Sequence, residues 1–341
     1  MGGLWFLIVG GMVTIYAVLD GFDLGAGAIQ WLVGRLPAER QLVMRAVGPV
    51  WDGNEVWLIA AGGTLFFAFP AVYASSFSGF YLPLRIVLWL LILRGMSIEV
   101  RSHVADPLWH AFFDAVFAGS SALLAVFLGA ALGNVIRGVP LGPEGYFFEP
   151  LWTTFTVTAT PGILDWYTVL TGVLALIILA SHGAHFVALK TSGPVHDRAV
   201  RLATRLWPPM LMLALVGLAA TVWVRPALLD NYRRWPTGWM IPAIVVASAI
   251  AMAYGRRARR DLAAFVASSL FIAAMLGGAA FALYPLLLPS SNSTYPSLTT
   301  VNALAPAYGL WIGIRWWSAG CVLAITYVVW IYRSIGTKVD A

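Results

Sequence analysis

The amino-acid sequence predicts an all-α integral membrane protein with about nine transmembrane helices. Of its 341 residues, 60% are hydrophobic and only 11% are charged, whereas soluble domains carry about 25% charged residues. A soluble fold could not bury this much apolar surface, so a lipid bilayer is its natural solvent. The single cysteine, Cys321, excludes an intrachain disulfide and a cysteine-rich metal site. The net charge of +6 comes from basic residues scattered over short loops, which argues against nucleic acid as a partner.

Nine stretches qualify as spanning helices, because a spanning helix needs about 20 mostly apolar residues. We expect two four-helix bundles and one peripheral helix, all in a single polytopic domain over residues 1–341. Residues 1–136 would form the first four helices, 137–161 an outer loop with room for a short interfacial helix, and 162–341 the other five. The stretches cover roughly residues 4–33, 47–73, 79–100, 111–136, 162–189, 204–224, 239–255, 262–284 and 309–332.

Basic residues concentrate in loops that fall on one side of a nine-helix bundle. These are loops 34–46, 190–205 and 256–261 and the C-terminal segment. On the opposite side, loops 74–82 and 285–308 carry no charge, although loop 225–238 departs from the pattern with three arginines. The positive-inside rule therefore predicts an N-terminus outside the cell and a C-terminus in the cytoplasm.

Four carboxylates lie within the first two predicted spans. An ionisable side chain at this depth costs at least ~2.5 kcal/mol, so each one is a functional hypothesis by default. Asp20 and Asp23 are three residues apart and share one face of the first helix, as do Asp52 and Glu55 on the second. Because a short loop makes these helices antiparallel neighbours, the four side chains form a ladder that rises from the cytoplasm. The ladder is typical of a proton relay, and the alternative is that the carboxylates pair with arginines and lock the bundle.

Five further side chains favour structural roles. Arg94 lies deep enough in the third predicted span to offset the carboxylates, and Glu99 and Arg101 lie at its cytoplasmic end. We expect these three to be structural charge partners. His182 and His185 are three residues apart and could ligate a metal or haem. With no cysteine nearby and no evident third ligand, the pattern favours hydrogen-bonded helix packing.

A series of short motifs runs in order over almost the whole chain. They are residues 20–25 (DGFDLG), 48–57 (GPVWDGNEVW), 77–81 (FSGFY), 94–95 (RG), 99–102 (EVRS), 133–134 (GN), 289–291 (PSS) and 297–299 (SLT). In this order they resemble subunit II of the cytochrome bd-type quinol oxidases, including the cyanide-insensitive branch. The WDGN run around Asp52 is the most specific of them.

The resemblance implies a heterodimer with a larger subunit I in a bacterial plasma (inner) membrane. Subunit I would carry the quinol-oxidising loop, two b-type haems and one haem d. The complex would oxidise quinol and reduce dioxygen to water with cytoplasmic protons, without pumping. Subunit II would then supply no haem ligand, no metal site and no complete redox site. Some members hold a structural quinone in this subunit, and some complexes include a small single-helix accessory subunit.

The resemblance also implies residue roles. It assigns Asp52 to the proton path toward the haems and places Asp23 near the same network. Asp20 and Glu55 are added to this proton pathway by their positions in the predicted ladder. Two other functions fit buried carboxylates alone. One is a proton- or cation-coupled secondary transporter, against which the lack of a visible internal repeat argues. The other is a structural scaffold for subunit I, in which the buried charges are inert.

Overall fold

The protein is helical almost throughout, which confirms the predicted all-α membrane class. The structure is a computed structural model that describes residues 1–292, 294–334 and 338–339. Short 3-10 turns and one small hairpin complete the described ranges. The helices are α1 (Gly2–Val33), α2 (Pro37–Val47), α3 (Trp51–Ala68), α4 (Pro70–Gly79), α5 (Tyr81–Val100), α6 (Pro107–Arg137), α7 (Trp166–Lys190), α8 (Gly193–Val224), α9 (Asp230–Arg234), α10 (Met240–Arg257), α11 (Asp261–Leu283) and α12 (Ala307–Ser334).

Eight helices in the described ranges are long and apolar enough to cross a membrane, one fewer than the nine predicted stretches. They are α1, α5, α6, α7, α8, α10, α11 and α12. The remaining predicted stretch is α3, which has 18 residues and begins with the polar run around Asp52. Its polar first turn lowers its mean hydropathy, and Pro70 starts a separate helix where the prediction continued the span.

Helix α3 nevertheless runs antiparallel to α1 along most of its length. Near the start of α3, Asn54 donates a hydrogen bond to Asp23, with 2.8 Å between Nδ2 and Oδ2. Near its end, the ring of Phe67 lies 5.4 Å from the ring of Trp5. The two contacts are 18 residues apart on α1 and 13 apart on α3, or about 27 and 20 Å of helix. Helix α3 therefore lies beside α1 over most of its own length, but it is not among the eight described helices whose length and composition fit a membrane span.

The helices pack as two groups of four. Helices α1, α3, α5 and α6 form one group, and α7, α8, α10 and α11 form the other. The groups meet along α7, which packs against both α1 and α6. Where α7 crosses α1, a Cβ on Gly25 would overlap the carbonyl oxygen of Leu179. Gly183 is equally close to the backbone of α1, so only glycine fits on either side of this crossing. Helix α12 is peripheral, and Leu310 is its only buried residue in the described part of the chain.

The two ends of the bundle differ in charge and in structure. The basic end holds the connections 34–50, 101–106, 191–192 and 258–260, and part of the predicted loop 34–46 forms helix α2. The opposite end holds residues 138–165, which form no helix. The short interfacial helix that the sequence allowed in the outer loop is therefore not present there. It also holds a hairpin of β1 (Leu286–Leu288) and β2 (Leu298–Thr299). Ser293, within the polar run 289–299, lies outside the described residues.

Candidate functional site

Four charged side chains meet where α1, α3 and α5 pack together, and we call them the carboxylate cluster: Asp20, Asp23, Glu55 and Arg94. Asp20, Asp23 and Arg94 have no exposed surface, and Glu55 is largely buried. Arg94 Nη2 lies 2.7 Å from Asp20 Oδ1 and 3.0 Å from Glu55 Oε2. Arg94 thus occupies the position that its depth in the sequence predicts, as a cation shared by two helices.

The members of this cluster do not have the same partners. Asp20 and Glu55 share the Arg94 guanidinium, so the locking alternative describes these two residues well. Asp23 forms no ion pair with a described residue and accepts a hydrogen bond from the neutral Asn54 amide. Three carboxylates face one guanidinium, and a low-dielectric interior disfavours uncompensated charge. The cluster is therefore suited to holding exchangeable protons.

Asp52 lies outside this cluster, on the surface of α3. It is exposed and makes no hydrogen bond or ion pair with a described residue. It begins an exposed stripe that continues through Val56, Ile59 and Phe66, at the three- and four-residue spacing of one helix face. Asn54, two residues on, contacts Asp23, which is about 15 Å from the end of α1. Asp52 is therefore in the first turn of α3, about 12 Å along the bundle from the end of α1, and on the outside of the subunit.

A large apolar cavity lies between α3, α12 and the first half of α1, and it extends along most of α3 from Gly53 to Phe67. Its volume is about 670 Å³. Trp5, Trp57 and Phe67 line it from one side, and Gly313 and Trp317 line it from α12. Trp5 is 1% exposed, and its indole N–H has no hydrogen-bond partner among the described residues. The cavity therefore has an apolar, aromatic wall that includes a tryptophan whose N–H has no partner among the described residues, which suits an apolar molecule that carries an acceptor.

Known proteins share this sequence and this fold over almost their whole length. Residues 1–335 match the family "Cytochrome bd terminal oxidase subunit II". The chain belongs to this family. The "Probable cytochrome oxidase subunit 2" of Haemophilus influenzae is 31% identical and aligns with 99% of this chain and 95% of its own. "Cytochrome bd-I ubiquinol oxidase subunit 2" of Escherichia coli K12 is also 31% identical, over 96% of this chain and 92% of its own.

A solved structure supports the same fold. A chain of the bd oxidase from Geobacillus thermodenitrificans superposes with a TM-score of 0.77 at 19% identity, covering 97% of both chains. The protein is therefore a multi-pass subunit II of a bacterial inner-membrane oxidase, within a quinol:oxygen oxidoreductase. A subunit II implies a complex with a subunit I, and a cytochrome implies that this complex contains haem. Membership of this family argues against the alternative that the chain is a proton- or cation-coupled secondary transporter.

A second buried ion-pair group in subunit II lies at the basic end, and sequence reasoning missed its centre. Asp114 on α6 is fully buried between Arg40 of α2 and Arg101, with nitrogen–oxygen distances of 2.7 and 2.6 Å. Gln30 on α1 donates to the same carboxylate. The signal was an aspartate inside the apolar run 111–118. Glu99, grouped with Arg101 from sequence, is exposed and forms no ion pair with a described residue.

The two histidines of α7 hold helices together by hydrogen bonds. His182 Nδ1 lies 2.7 Å from Ser268 Oγ on α11, and its Nε2 lies 3.0 Å from the Val18 carbonyl oxygen on α1. His185 Nδ1 contacts the Ser181 carbonyl oxygen at 2.6 Å. Both ring nitrogens of His182 are occupied, which leaves neither free for a metal. Among the described residues, no group of three side chains is placed to bind one.

A third group fastens the loop 138–165 to the opposite end of the bundle. Arg137, at the end of α6, pairs with Asp165 at the start of α7 and with Glu149, whose Oε1 is 2.9 Å from Nη2. Asn134 Oδ1 accepts from the same guanidinium at 2.7 Å. Glu149 is 2% exposed, and its other oxygen has no partner among the described residues. Burial raises the pKa of Glu149 to about 7, although Arg137 opposes the shift.

This raised pKa predicts that the loop is held more tightly at low pH. A carboxyl group with a higher pKa in the folded than in the unfolded protein stabilises the folded state most at low pH. For Glu149 this stabilisation falls as pH rises from about 4.5 to about 7, by up to about 3 kcal/mol. We expect protease to cleave residues 138–165 faster at pH 8 than at pH 6 in the wild-type complex. Glu149→Gln is expected to remove this difference, because Asp165 still neutralises Arg137. Equal pH dependence in the variant would contradict the assignment.

Proposed function

We propose that this subunit stabilises the haem-bearing subunit I and helps to carry cytoplasmic protons toward the haem at which oxygen is reduced. The observation that carries the proposal is the position of Asp52, which lies in the first turn of α3 beside the carboxylate cluster yet is exposed on its own subunit. A carboxylate that faces lipid costs free energy, up to about 3 kcal/mol at the centre of a spanning helix on insertion scales. A protein partner that packs on the α3 stripe removes this cost, and subunit I is the partner that the family implies.

The geometry supports a route in two stages, in which protons are held in the carboxylate cluster and then passed to subunit I at Asp52. With the basic end in the cytoplasm, as the positive-inside rule predicts, Asp52 lies one turn from Glu55 on α3, and within the carboxylate cluster Glu55 shares the Arg94 guanidinium with Asp20. Asp23, which lacks a cation, is the member best placed to exchange a proton. Subunit II would thus hold protons in the carboxylate cluster and present them at Asp52 to subunit I. Two b-type haems and one haem d would be ligated there, and quinol would be oxidised there.

Oxygen consumption by the Asp52→Asn complex tests this proposal. The expected outcome is loss of turnover with the haem content preserved. Lost haem would instead indicate that Asp52 serves assembly alone, as in the scaffold alternative. Turnover equal to that of the wild type would remove Asp52 from the proton route.

The apolar cavity between α3 and α12 is the place that we propose for a structural quinone. Its volume and its apolar and aromatic walls fit a quinone ring with part of an isoprenoid tail. The orphaned Trp5 N–H is a suitable donor to a quinone carbonyl. Such a molecule would fill the gap between α12 and the rest of the bundle. The outer face of α12 remains available to lipid or to a small single-helix accessory subunit.

Trp5→Phe tests the quinone site. The substitution keeps an aromatic ring beside Phe67 but removes the donor, so we expect the quinone that co-purifies per haem to fall by about fivefold, the effect of one hydrogen bond. The measurement is quinone extracted from the purified complex. Trp311→Phe, on an exposed part of α12 outside the cavity, is the matched control. Equal quinone content in wild type and Trp5→Phe would exclude Trp5 as a ligand.

A further inference from the structure

The peripheral helix α12 has one side-chain hydrogen bond to another helix in the described part of the chain. The hydroxyl of Tyr332 donates to Asn54 Oδ1 of α3 at 3.0 Å. The other side-chain hydrogen bonds within α12, from Ser318, Thr326 and Ser334, return to its own backbone. The Tyr332 contact therefore links α12 to the residue that serves Asp23.

The Asn54 amide is held from both sides. Its Oδ1 accepts from Tyr332, and its amino group faces α1, where it donates to Asp23 Oδ2 at 2.8 Å and to the Leu19 carbonyl oxygen at 3.3 Å. A flipped amide would place its oxygen against the Asp23 carboxylate, which repels it. Asp23 Oδ1 has no hydrogen-bond partner among the described residues, so Asn54 is the donor on which Asp23 depends.

Other contacts already hold this end of the chain in place. Beyond α12, Lys338 Nζ lies 3.0 Å from the Thr191 carbonyl oxygen, and the Val339 amide donates to the Lys190 carbonyl at 2.8 Å. The ring of Tyr332 also packs against the apolar core between α1, α2 and α7. The hydroxyl is therefore not required to anchor α12, and its contact with Asn54 serves the amide.

We propose that Tyr332 is a positioning residue for proton transfer, which acts by holding the Asn54 amide in the orientation that donates to Asp23. The inference rests on the proposed proton route and adds a member from the C-terminal helix. It assigns to α12 a role in the chemistry of the complex in addition to its role as a wall of the cavity.

Tyr332→Phe in the assembled complex is the first test, because it removes the hydroxyl and keeps the ring. We expect kcat for oxygen consumption to fall about three- to tenfold, the usual effect of one hydrogen bond. The quinol KM and the haem content per complex should not change, since neither the quinol site nor the packing is altered. Tyr308→Phe, an exposed tyrosine at the other end of α12, is the control and should match the wild type. Wild-type kcat in Tyr332→Phe, or a fall explained by lost haem, would overturn the proposal.

A double-mutant cycle with Asn54→Ala separates positioning from general packing. If Tyr332 acts through Asn54, adding Tyr332→Phe to Asn54→Ala lowers turnover per haem no further. If the two losses multiply, Tyr332 acts independently and the proposal is wrong. The Asp52→Asn complex distinguishes failure of the positioning role of Tyr332 from failure of the proposed proton route itself. Lost turnover there with intact turnover in Tyr332→Phe overturns only the positioning role, whereas intact turnover in both overturns the two together.

Discussion

Replacing Arg94 by methionine is expected to prevent the complex from accumulating in the membrane. Arg94 has no exposed surface and lies between Asp20 and Glu55. Removing it leaves two carboxylates without a cation in the apolar layer, and breaking a buried pair in this way costs about 3–5 kcal/mol. This is a large part of the roughly 5–15 kcal/mol that stabilises a typical domain. The measurement is haem absorbance per milligram of membrane protein, together with the amount of intact complex on a native gel.

Two further variants make the result specific. Arg85→Met removes an arginine from the same helix, but Arg85 is exposed, bonds to Tyr81 and forms no ion pair with a described residue, so the yield should stay normal. Asp20→Asn combined with Arg94→Met removes one charge of each sign and should recover part of the yield. Normal accumulation of the single Arg94→Met variant would show that the cluster is neutralised by other means.

The second large effect is expected for Asp52→Asn, with oxygen consumption per haem reduced about tenfold or more. Asparagine has the shape of aspartate but cannot release or accept a proton at neutral pH. Because Asp52 is exposed and bonds to no described residue, the fold of this subunit should not change. Asp52→Glu restores a titratable group and should regain part of the turnover.

Glu99→Gln is the matched control for Asp52→Asn. Glu99 is also an exposed carboxylate in the half of the bundle nearer the basic end, and it forms no ion pair with a described residue. We expect its substitution to leave turnover unchanged. Equal losses in the two variants would mean that the effect reflects the total charge near the cytoplasm and not a route through Asp52.

Much of the bundle follows from hydropathy, and the differences have physical causes. The predicted span 204–224 begins at Gly193 in the structure, because a helix continues beyond the apolar layer where charged residues hide it from a hydropathy argument. Helix α2 lies in a predicted loop for the same reason. The polar first turn of α3 has the opposite effect, because it lowers the mean hydropathy of a helix that was predicted to span the membrane.

The candidate site was only partly predictable. Periodicity places Asp20 and Asp23 on one face of α1, and the depth of Arg94 in its helix indicates that it offsets the buried carboxylates. The exposure of Asp52 could not be predicted, because helix periodicity does not say which face of α3 meets a partner. Tyr332 could not be found either, since it is 278 residues from Asn54 and nothing in its local sequence distinguishes it. Contacts of this kind depend on how distant helices pack.

The order of the cluster along the chain has a consequence for biogenesis. Asp20 and Asp23 leave the ribosome with α1, whereas Arg94 follows only with α5, after α3 and α4 have been made. Chains are synthesised at about 5–20 residues per second, so the aspartates wait several seconds for their cation. During that interval the two charged aspartates make insertion of α1 into lipid unfavourable. The helix must therefore stay beside the insertion machinery or keep its carboxylates protonated. In the first of these two cases, the arrival of α5 supplies the cation and allows the first half of the protein to leave the insertion machinery.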